Sequence, residues 1–135
     1  MSFDPASAPG SSQGCLPGQI DYRLARNAVV REFQAGRLSR LDICDAHPEL
    51  LRVARHLGEA THEDCPICGD SVVVHVSYVF GPRLPPGGRC VTSPAEIVKL
   101  SRGVAQIACY VVEVCPACSW NHLARMRVLG GRPRT

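Results

Sequence analysis

Four cysteines form two copies of one short motif, and their type and spacing suit metal chemistry. Two residues separate the cysteines of each copy, so a tight turn can present both thiols to one ion. Two such turns supply four thiolates, the complete tetrahedral shell of a structural zinc site, with no position left for water. The predicted ligands are Cys65 and Cys68 of the first cysteine turn (residues 65–68) and Cys115 and Cys118 of the second (residues 115–118). The sequence therefore predicts one structural Zn²⁺.

Two histidines near these turns leave one alternative open for the ligand set. His62 precedes Cys65 by three residues and His122 follows Cys118 by four, so either imidazole could replace a sulfur. Since four cysteines already complete the shell, we expect His122 to pack beside the site instead. The remaining cysteines are interpreted as one thiol in a tail and three small apolar residues: Cys15, Cys44, Cys90 and Cys109.

Catalytic motifs are absent from the sequence. A four-sulfur site has no open coordination position, and the chain has no glycine-rich phosphate loop, HExxH helix or nucleophile elbow. A thioredoxin-like redox pair usually occurs once, near a βαβ unit, whereas this motif occurs twice. We therefore expect a protein that is not an enzyme. A switch in which an oxidant ejects zinc is the third functional hypothesis.

The segment before the first cysteine turn has the apolar period of helices. Asp21 can cap a first helix that Gly36 stops, and Ser39 can begin a second. The period places Leu24 and Leu57 on apolar stripes and Arg26 on a solvent-facing side. The three predicted helices cover residues 21–35, 40–44 and 48–57.

After the first cysteine turn the apolar period changes to two, which predicts strands over residues 72–80, 104–114 and 120–129. A Pro/Gly loop, 81–88, follows the first strand. Ser93 and Glu96 form a capping box that starts a helix ending near Gly103. Residues 69–114 separate the two turns, more than the roughly 15 to 20 of a short ribbon, and the inserted loop and helix explain the excess.

The predicted fold is α+β, with an N-terminal helical lobe packed on a three-stranded antiparallel zinc-ribbon sheet that carries an inserted helix. The chain is divided into a disordered tail (1–18), the helical lobe (19–60), the zinc ribbon (61–130, with its insertion at 81–103) and a basic tail (131–135). The first tail is rich in Ser, Pro and Gly and lacks the apolar core of a signal peptide.

Charge and cysteine content limit the partners and the compartment. The formal net charge of +3 falls to about +1 when four thiolates hold Zn²⁺, so the overall charge does not demand nucleic acid. No apolar run approaches the roughly 18 residues that span a membrane. Eight cysteines without a signal peptide favour metal binding in the reducing cytoplasm over disulfides.

Six arginines are candidates for a binding surface. The two in the third predicted helix could face a DNA groove in a helix-turn-helix, but we favour the interpretation that they are the solvated side of an amphipathic helix. The arginines near the C-terminus form the more basic patch. Trp120, beside the second cysteine turn, is expected to pack in the core rather than stack on a base. The candidates are Arg52 and Arg55 in the helix, and Arg125, Arg127, Arg132 and Arg134 toward the C-terminus.

Five segments of the chain carry a resemblance to a known family: Asp21-Tyr22-Arg23-Leu24, Asp42-Ile43-Cys44-Asp45-Ala46, Cys65-Pro66-Ile67-Cys68, Ser77-Tyr78-Val79-Phe80-Gly81 and the stretch from Val112 to Leu123. Through them the chain resembles an actinobacterial zinc-ribbon family catalogued as a domain of unknown function. The resemblance spans about Gln19 to Gly130 and implies the same four cysteine ligands, but it implies no activity.

These observations favour a cytoplasmic adaptor built on a structural zinc ribbon. It would dock on a larger protein assembly, plausibly the transcription or translation machinery, by analogy with other small ribbons. The second hypothesis is direct binding of RNA or DNA through the edge formed by Arg125 and Arg127.

Overall fold

The computed structural model describes residues 18–102 and 106–130 of the chain. Within these ranges there are four helices and one antiparallel sheet of six strands. The predicted tails lie outside them apart from Gly18, and so do Cys15, Gly103, Val104, Arg132 and Arg134. The elements are β1 (Gln19–Asp21), α1 (Arg23–Gln34), α2 (Arg40–Ile43), α3 (Pro48–Leu57), β2 (Glu59–Asp64), β3 (Val72–Phe80), β4 (Arg89–Val91), α4 (Pro94–Ser101), β5 (Ile107–Val114) and β6 (Asn121–Leu129).

The α+β class is confirmed, but the expectation of three strands is wrong. The sheet has the order β1-β6-β5-β3-β2, and β4 pairs with β3 outside this path. The three expected strands are the long central ones, β3, β5 and β6. The three additional strands are short or polar; β2, with the sequence Glu-Ala-Thr-His-Glu-Asp, has no apolar face. Backbone hydrogen bonds to neighbouring strands hold such strands in the sheet, so the apolar period of the sequence does not reveal them.

The helix starts follow the expected local signals. The side chain of Ser39 and that of Asp42 cap each other's backbone at the start of α2, and Ser93 Oγ accepts a hydrogen bond from the Glu96 amide at the start of α4. Gly36 follows α1 with a positive φ of 81°, a conformation that glycine adopts without steric cost. All four helices begin within two residues of the predicted positions.

Helices cover both faces of the sheet. The even-numbered positions of β3 and β5, such as Val76 and Val114, pack with Val53 and Ala54 of α3. The odd-numbered positions face the other way. At one end of this second face Val73 packs with α1, α2 and the cysteine turns, and at the other end Val79 packs with Ile97 of α4.

Three side chains depart from the helical-wheel prediction. Leu24 and Leu57 were expected in the core, but they are 67% and 51% exposed. Arg26 was expected in solvent, yet only 7% of it is exposed. The reason is an ion pair with the sheet. Glu113 of β5 places a buried carboxylate beside Arg26, so this side of α1 faces the sheet.

Candidate metal centre

The two cysteine turns lie at the same end of the sheet. The first connects β2 to β3 and the second connects β5 to β6. Since β3 leaves the first turn and the antiparallel β5 enters the second, Val74 and Val114 stand opposite each other next to the turns. Ordinary strand pairing therefore brings together cysteines that are distant in sequence.

The four predicted ligands form one cluster whose dimensions suit a metal ion. The Sγ atoms of Cys65, Cys68, Cys115 and Cys118 all lie within 4.8 Å of one another. The Sγ atoms of Cys65 and Cys118 are 3.7 Å apart, as are those of Cys68 and Cys115. A tetrahedral ion with metal–sulfur bonds of about 2.3 Å requires sulfur–sulfur distances of about 3.8 Å. The cluster could therefore hold a metal ion.

Backbone amides in the first cysteine turn point at sulfur. The amides of Ile67 and Cys68 donate to Cys65 Sγ at 3.4 and 3.5 Å, and the Asp70 amide donates to Cys68 Sγ at 3.5 Å. These hydrogen bonds favour negatively charged sulfur. Each cysteine turn is followed by a residue in the left-handed backbone conformation, Gly69 with φ 69° and Ser119 with φ 74°. Serine at that position carries a steric cost that glycine avoids.

Burial and hydrogen bonding act on the thiols in opposite directions. Burial raises the pKa of Cys115 and that of Cys118 above the ordinary value of a thiol. Burial also opposes ionisation of Cys68, but hydrogen bonds from the Asp70 amide and neighbouring thiols bring its pKa below the ordinary value. A cation among the four sulfurs would offset the cost of burying thiolates.

Apolar side chains surround the cluster. Cys65 and Cys115 are buried, and Cys68 and Cys118 are half-buried. The four lie among Val30 of α1, Ile43 of α2, Ile67, Val73 and Trp120. Trp120 is only 1% exposed, so the expectation that it packs in the core is confirmed. An ion held here would be largely shielded from water.

Neither histidine joins the sulfur cluster. Among residues 18–102 and 106–130, the group able to hold a metal contains only the four cysteines. His122 stacks on Trp120 with ring centroids 6.0 Å apart, and its Nδ1 lies 2.8 Å from the carbonyl oxygen of Leu123. His62 lies in the exposed strand β2. His122 is therefore packed beside the site, as expected.

A buried ion pair lies beside the cluster, and the sequence interpretation missed it. Arg26 Nη2 donates to Glu113 Oε2 at 3.0 Å, and Arg26 Nε lies 3.2 Å from both carboxylate oxygens. Trp120 Nε1 donates to the same Oε2 at 2.7 Å. The available signal was an acid inside the apolar run Val111-Val112-Glu113-Val114, because a charge in a central strand needs a buried partner.

A fifth cysteine touches the cluster. Cys44 directly follows α2, and its Sγ lies 3.7 Å from Cys118 Sγ. The sequence predicted that Cys44 is a small apolar residue, so this contact is unexpected. Cys90 and Cys109 lie elsewhere, on β4 and β5, and pack with apolar side chains. Burial raises the pKa of all three thiols.

The four candidate arginines that the structure describes fall on two opposite faces. Arg52 pairs with Glu49, and Arg55 donates to the carbonyl oxygen of Pro116; both are exposed on α3. Arg125 and Arg127 stand opposite Val111 and Cys109, on the other face of the sheet. Arg52 and Arg55 therefore do not share a surface with Arg125 and Arg127.

Arg125 and Arg127 line a groove of about 240 Å³, here called the arginine groove. Both side chains are exposed, and within the described part of the chain neither forms an ion pair. His75, Ser77 and Glu59 also line it. Burial and the nearby Arg125 lower the pKa of His75, which keeps this imidazole largely neutral near pH 7. The groove offers two cations to an external anion.

No helix in the described ranges is both long enough and apolar enough to cross a bilayer.

Residues 17–135 match a family described as "Family of unknown function (DUF5318)". The chain is similar to "Uncharacterized protein Rv0049" of Mycobacterium tuberculosis (strain ATCC 25618 / H37Rv) and to "Uncharacterized protein Mb0050" of Mycobacterium bovis. Each is 39% identical over 111 residues, which cover 82% of this chain and 81% of the relative. No solved structure matches the chain.

Proposed function

The chain belongs to this family of unknown function, DUF5318, and we propose that it is a non-enzymatic binding protein built around one structural Zn²⁺. The resemblance to an uncharacterised actinobacterial family is thereby confirmed. The observation that carries the proposal is the sulfur cluster, four Sγ atoms within 4.8 Å of one another at one end of the sheet.

Zinc is the proposed ion because of the ligand type and number. Four thiolates in a tetrahedral arrangement suit Zn²⁺, and iron is the other first-row metal commonly held by four cysteines. Elemental analysis of freshly purified, reduced protein should return one zinc per chain. Cys115→Ser should lose it, and Cys109→Ser, which changes a buried cysteine outside the cluster, should keep it. Absence of metal from the unsubstituted protein would refute the proposal, and iron would refute the choice of zinc.

A structural role follows from a closed shell. The protein supplies all four ligands, which leaves no position for a substrate or an activated water. An ion here would link the hairpin β2–β3 to the hairpin β5–β6 and hold the sheet rigid. We therefore propose an adaptor that works in the cytoplasm, where thiols stay reduced.

The proposed partner of this adaptor is a larger protein assembly, plausibly of transcription or translation, by analogy with other small zinc ribbons. Leu41 of α2, 92% exposed, is the most accessible large apolar side chain that the structure describes. Affinity capture from native lysate, with and without nuclease, tests this step. A protein partner should survive nuclease and be lost with Leu41→Asp but not with Arg125→Gln. Loss with nuclease would contradict it.

Direct nucleic-acid binding is the second candidate, and the arginine groove favours it. Two exposed arginines that form no ion pair with another described residue can contact adjacent phosphates, and each contact on a single strand adds about 0.7 to the slope of log affinity against log salt. The double variant Arg125→Gln/Arg127→Gln should weaken binding to single-stranded oligonucleotides and reduce that slope by about 1.4. Arg52→Gln/Arg55→Gln removes equal charge from the opposite face and should change little. Equal effects of the two double variants would refute a specific edge.

A further inference from the structure

The fifth cysteine beside the sulfur cluster is held in place by its neighbours on both sides. Before it, the capping box of Ser39 and Asp42 fixes the short helix α2. After it, the Ala46 amide donates to the carbonyl oxygen of Ser119 at 3.1 Å, and Asn121 Nδ2 donates to Asp45 Oδ1 at 3.0 Å. The backbone around Cys44 is thus attached directly to the end of the second cysteine turn.

Cys44 is not needed as a ligand. Four sulfurs complete a tetrahedral shell, and Cys44 is outside the group whose ligand atoms all lie within 4.8 Å of one another. Its Sγ is nevertheless in van der Waals contact with one member, at 3.7 Å from Cys118 Sγ. The structure therefore places a spare thiol against one selected ligand.

Access from solvent leaves two candidate ligands, and Cys44 distinguishes them. Cys65 and Cys115 are buried, so a small oxidant reaches the cluster through the half-buried Cys68 or Cys118. Each of these has one buried cysteine sulfur at 3.7 Å, Cys115 for Cys68 and Cys65 for Cys118. Only Cys118 has a further sulfur contact in the described residues, with the half-buried Cys44, which is not a predicted metal ligand.

We propose that Cys44 and Cys118 form an oxidative modification site, in which hydrogen peroxide oxidises Cys118 and Cys44 then closes a reversible disulfide with it. The inference rests on the metal centre proposed above and adds to it a specific pair of reacting thiols.

The reaction consists of two displacements. In the first, Cys118 sulfur attacks one peroxide oxygen, the O–O bond breaks, and sulfenic acid and hydroxide form. In the second, Cys44 sulfur attacks the sulfenic sulfur and the S–O bond breaks, which releases a second hydroxide. The Cys44 thiol proton and one proton from solvent convert both hydroxides to water, because Cys118 is already a thiolate when it holds the metal. Two thiols thus lose two electrons in total, and one peroxide is reduced to two waters.

The two sulfurs are already in van der Waals contact. The sulfurs must approach from 3.7 Å to about 2.05 Å, and Cys44 lies just beyond the end of a four-residue helix rather than inside a strand. Bond formation removes one thiolate from the metal, which weakens its binding. It also protects Cys118 from the irreversible sulfinic and sulfonic acids, because the disulfide can be reduced again.

Peptide mapping tests the pairing directly. Full-length protein, with its metal content measured first, is treated with hydrogen peroxide, alkylated and digested with trypsin without reductant. Trypsin places Cys44 alone on residues 41–52, Cys65 and Cys68 together on 56–83, and Cys109, Cys115 and Cys118 together on 103–125. We expect a new species joining 41–52 to 103–125, located by fragmentation at Cys118, and released metal in step with it. Bonds confined to either cysteine turn would overturn the inference.

Matched variants separate this pairing from general thiol oxidation. Cys44→Ser should keep the metal when reduced, lose the cross-link, accumulate sulfinic acid at Cys118, and fail to rebind metal after dithiothreitol. Cys90→Ser, which removes a half-buried thiol remote from the cluster, should behave like the parent protein. Equal metal recovery in Cys44→Ser and the parent would overturn the inference.

The two proposals fail in different measurements. A reduced protein without metal before treatment refutes the metal centre. A metal-loaded protein that forms no link between Cys44 and Cys118 refutes the oxidative pairing alone.

Discussion

The two ends of one sheet face are held together by different interactions. At one end, here called the metal end, the cysteine turns pack with α1 and α2 around four sulfurs and a buried ion pair. At the other, the α4 end, Val79, Val91, Ile97, Ile107 and Cys109 form a purely apolar cluster. Both ends use the same central strands, so they differ in the side chains rather than in the sheet.

This comparison shows that the burial of a cysteine does not define its role. Cys109 and Cys115 lie on one strand or at its end and are both almost fully buried. Cys109 packs in an apolar cluster, borders the arginine groove and has no sulfur partner among the described residues, so it acts as a small hydrophobic residue. Cys115 has three other sulfurs within 4.8 Å, a set of donors that could together hold a metal ion. Partners, not exposure, separate a ligand from a packing residue.

The largest expected effect tests that contrast between cysteines. Cys115→Ser should remove the metal and unfold the metal end, because structural zinc contributes about 10–16 kcal/mol, as much as the whole stability of many domains. Cys109→Ser should cost about 1–3 kcal/mol for a buried hydroxyl and leave the metal content unchanged. Metal analysis and thermal unfolding followed by circular dichroism measure both. Similar unfolding of the two variants would break the comparison.

The next effect concerns the buried ion pair of the metal end, Arg26 with Glu113. Glu113→Gln leaves Arg26 buried without its counter-charge, which should lower the free energy of unfolding by about 3–5 kcal/mol. Glu63→Gln is the matched control, because Glu63 pairs with Arg23 of the same helix in solvent and should contribute less than about 1 kcal/mol. Urea unfolding measures both. Comparable losses would show that burial does not distinguish the pairs.

A smaller loss is expected at the α4 end. Ile107→Ala removes a side chain that is 2% exposed and should cost about 3 kcal/mol through lost transfer energy and a cavity. The metal content should stay at the parental value, because the two ends do not share this cluster. Urea unfolding and elemental analysis of the same sample decide the point. Loss of metal together with stability would show that the ends are coupled.

The smallest effect concerns the backbone conformation of the metal end. Gly69→Ala should cost about 1 kcal/mol, since its φ of 69° is unfavourable for alanine although open space surrounds the added methyl. Gly87→Ala has similarly open space without a positive φ and should be nearly neutral. Urea midpoints of the two variants give the difference. Equal midpoints would mean that the first cysteine turn readjusts its backbone.

Local signals predicted the elements whose determinants are close in sequence. The two-residue spacing marked both cysteine turns, Ser39 and Ser93 marked helix starts, and alternation marked the three central strands. Strands β1, β2 and β4 were missed because they are short or lack an apolar face, and their backbone pairs with strands remote in sequence.

The amino-acid sequence alone thus determined the four clustered cysteines, the α+β class and most helix and strand positions, because spacing and period depend on neighbouring residues. Only the tertiary structure decided that Arg26 is buried against Glu113, that Cys44 contacts Cys118, and that the four described candidate arginines lie on opposite faces. Each of these depends on two segments meeting after the sheet has formed. The apolar period of a segment does not reveal which side chain of a distant segment will contact it.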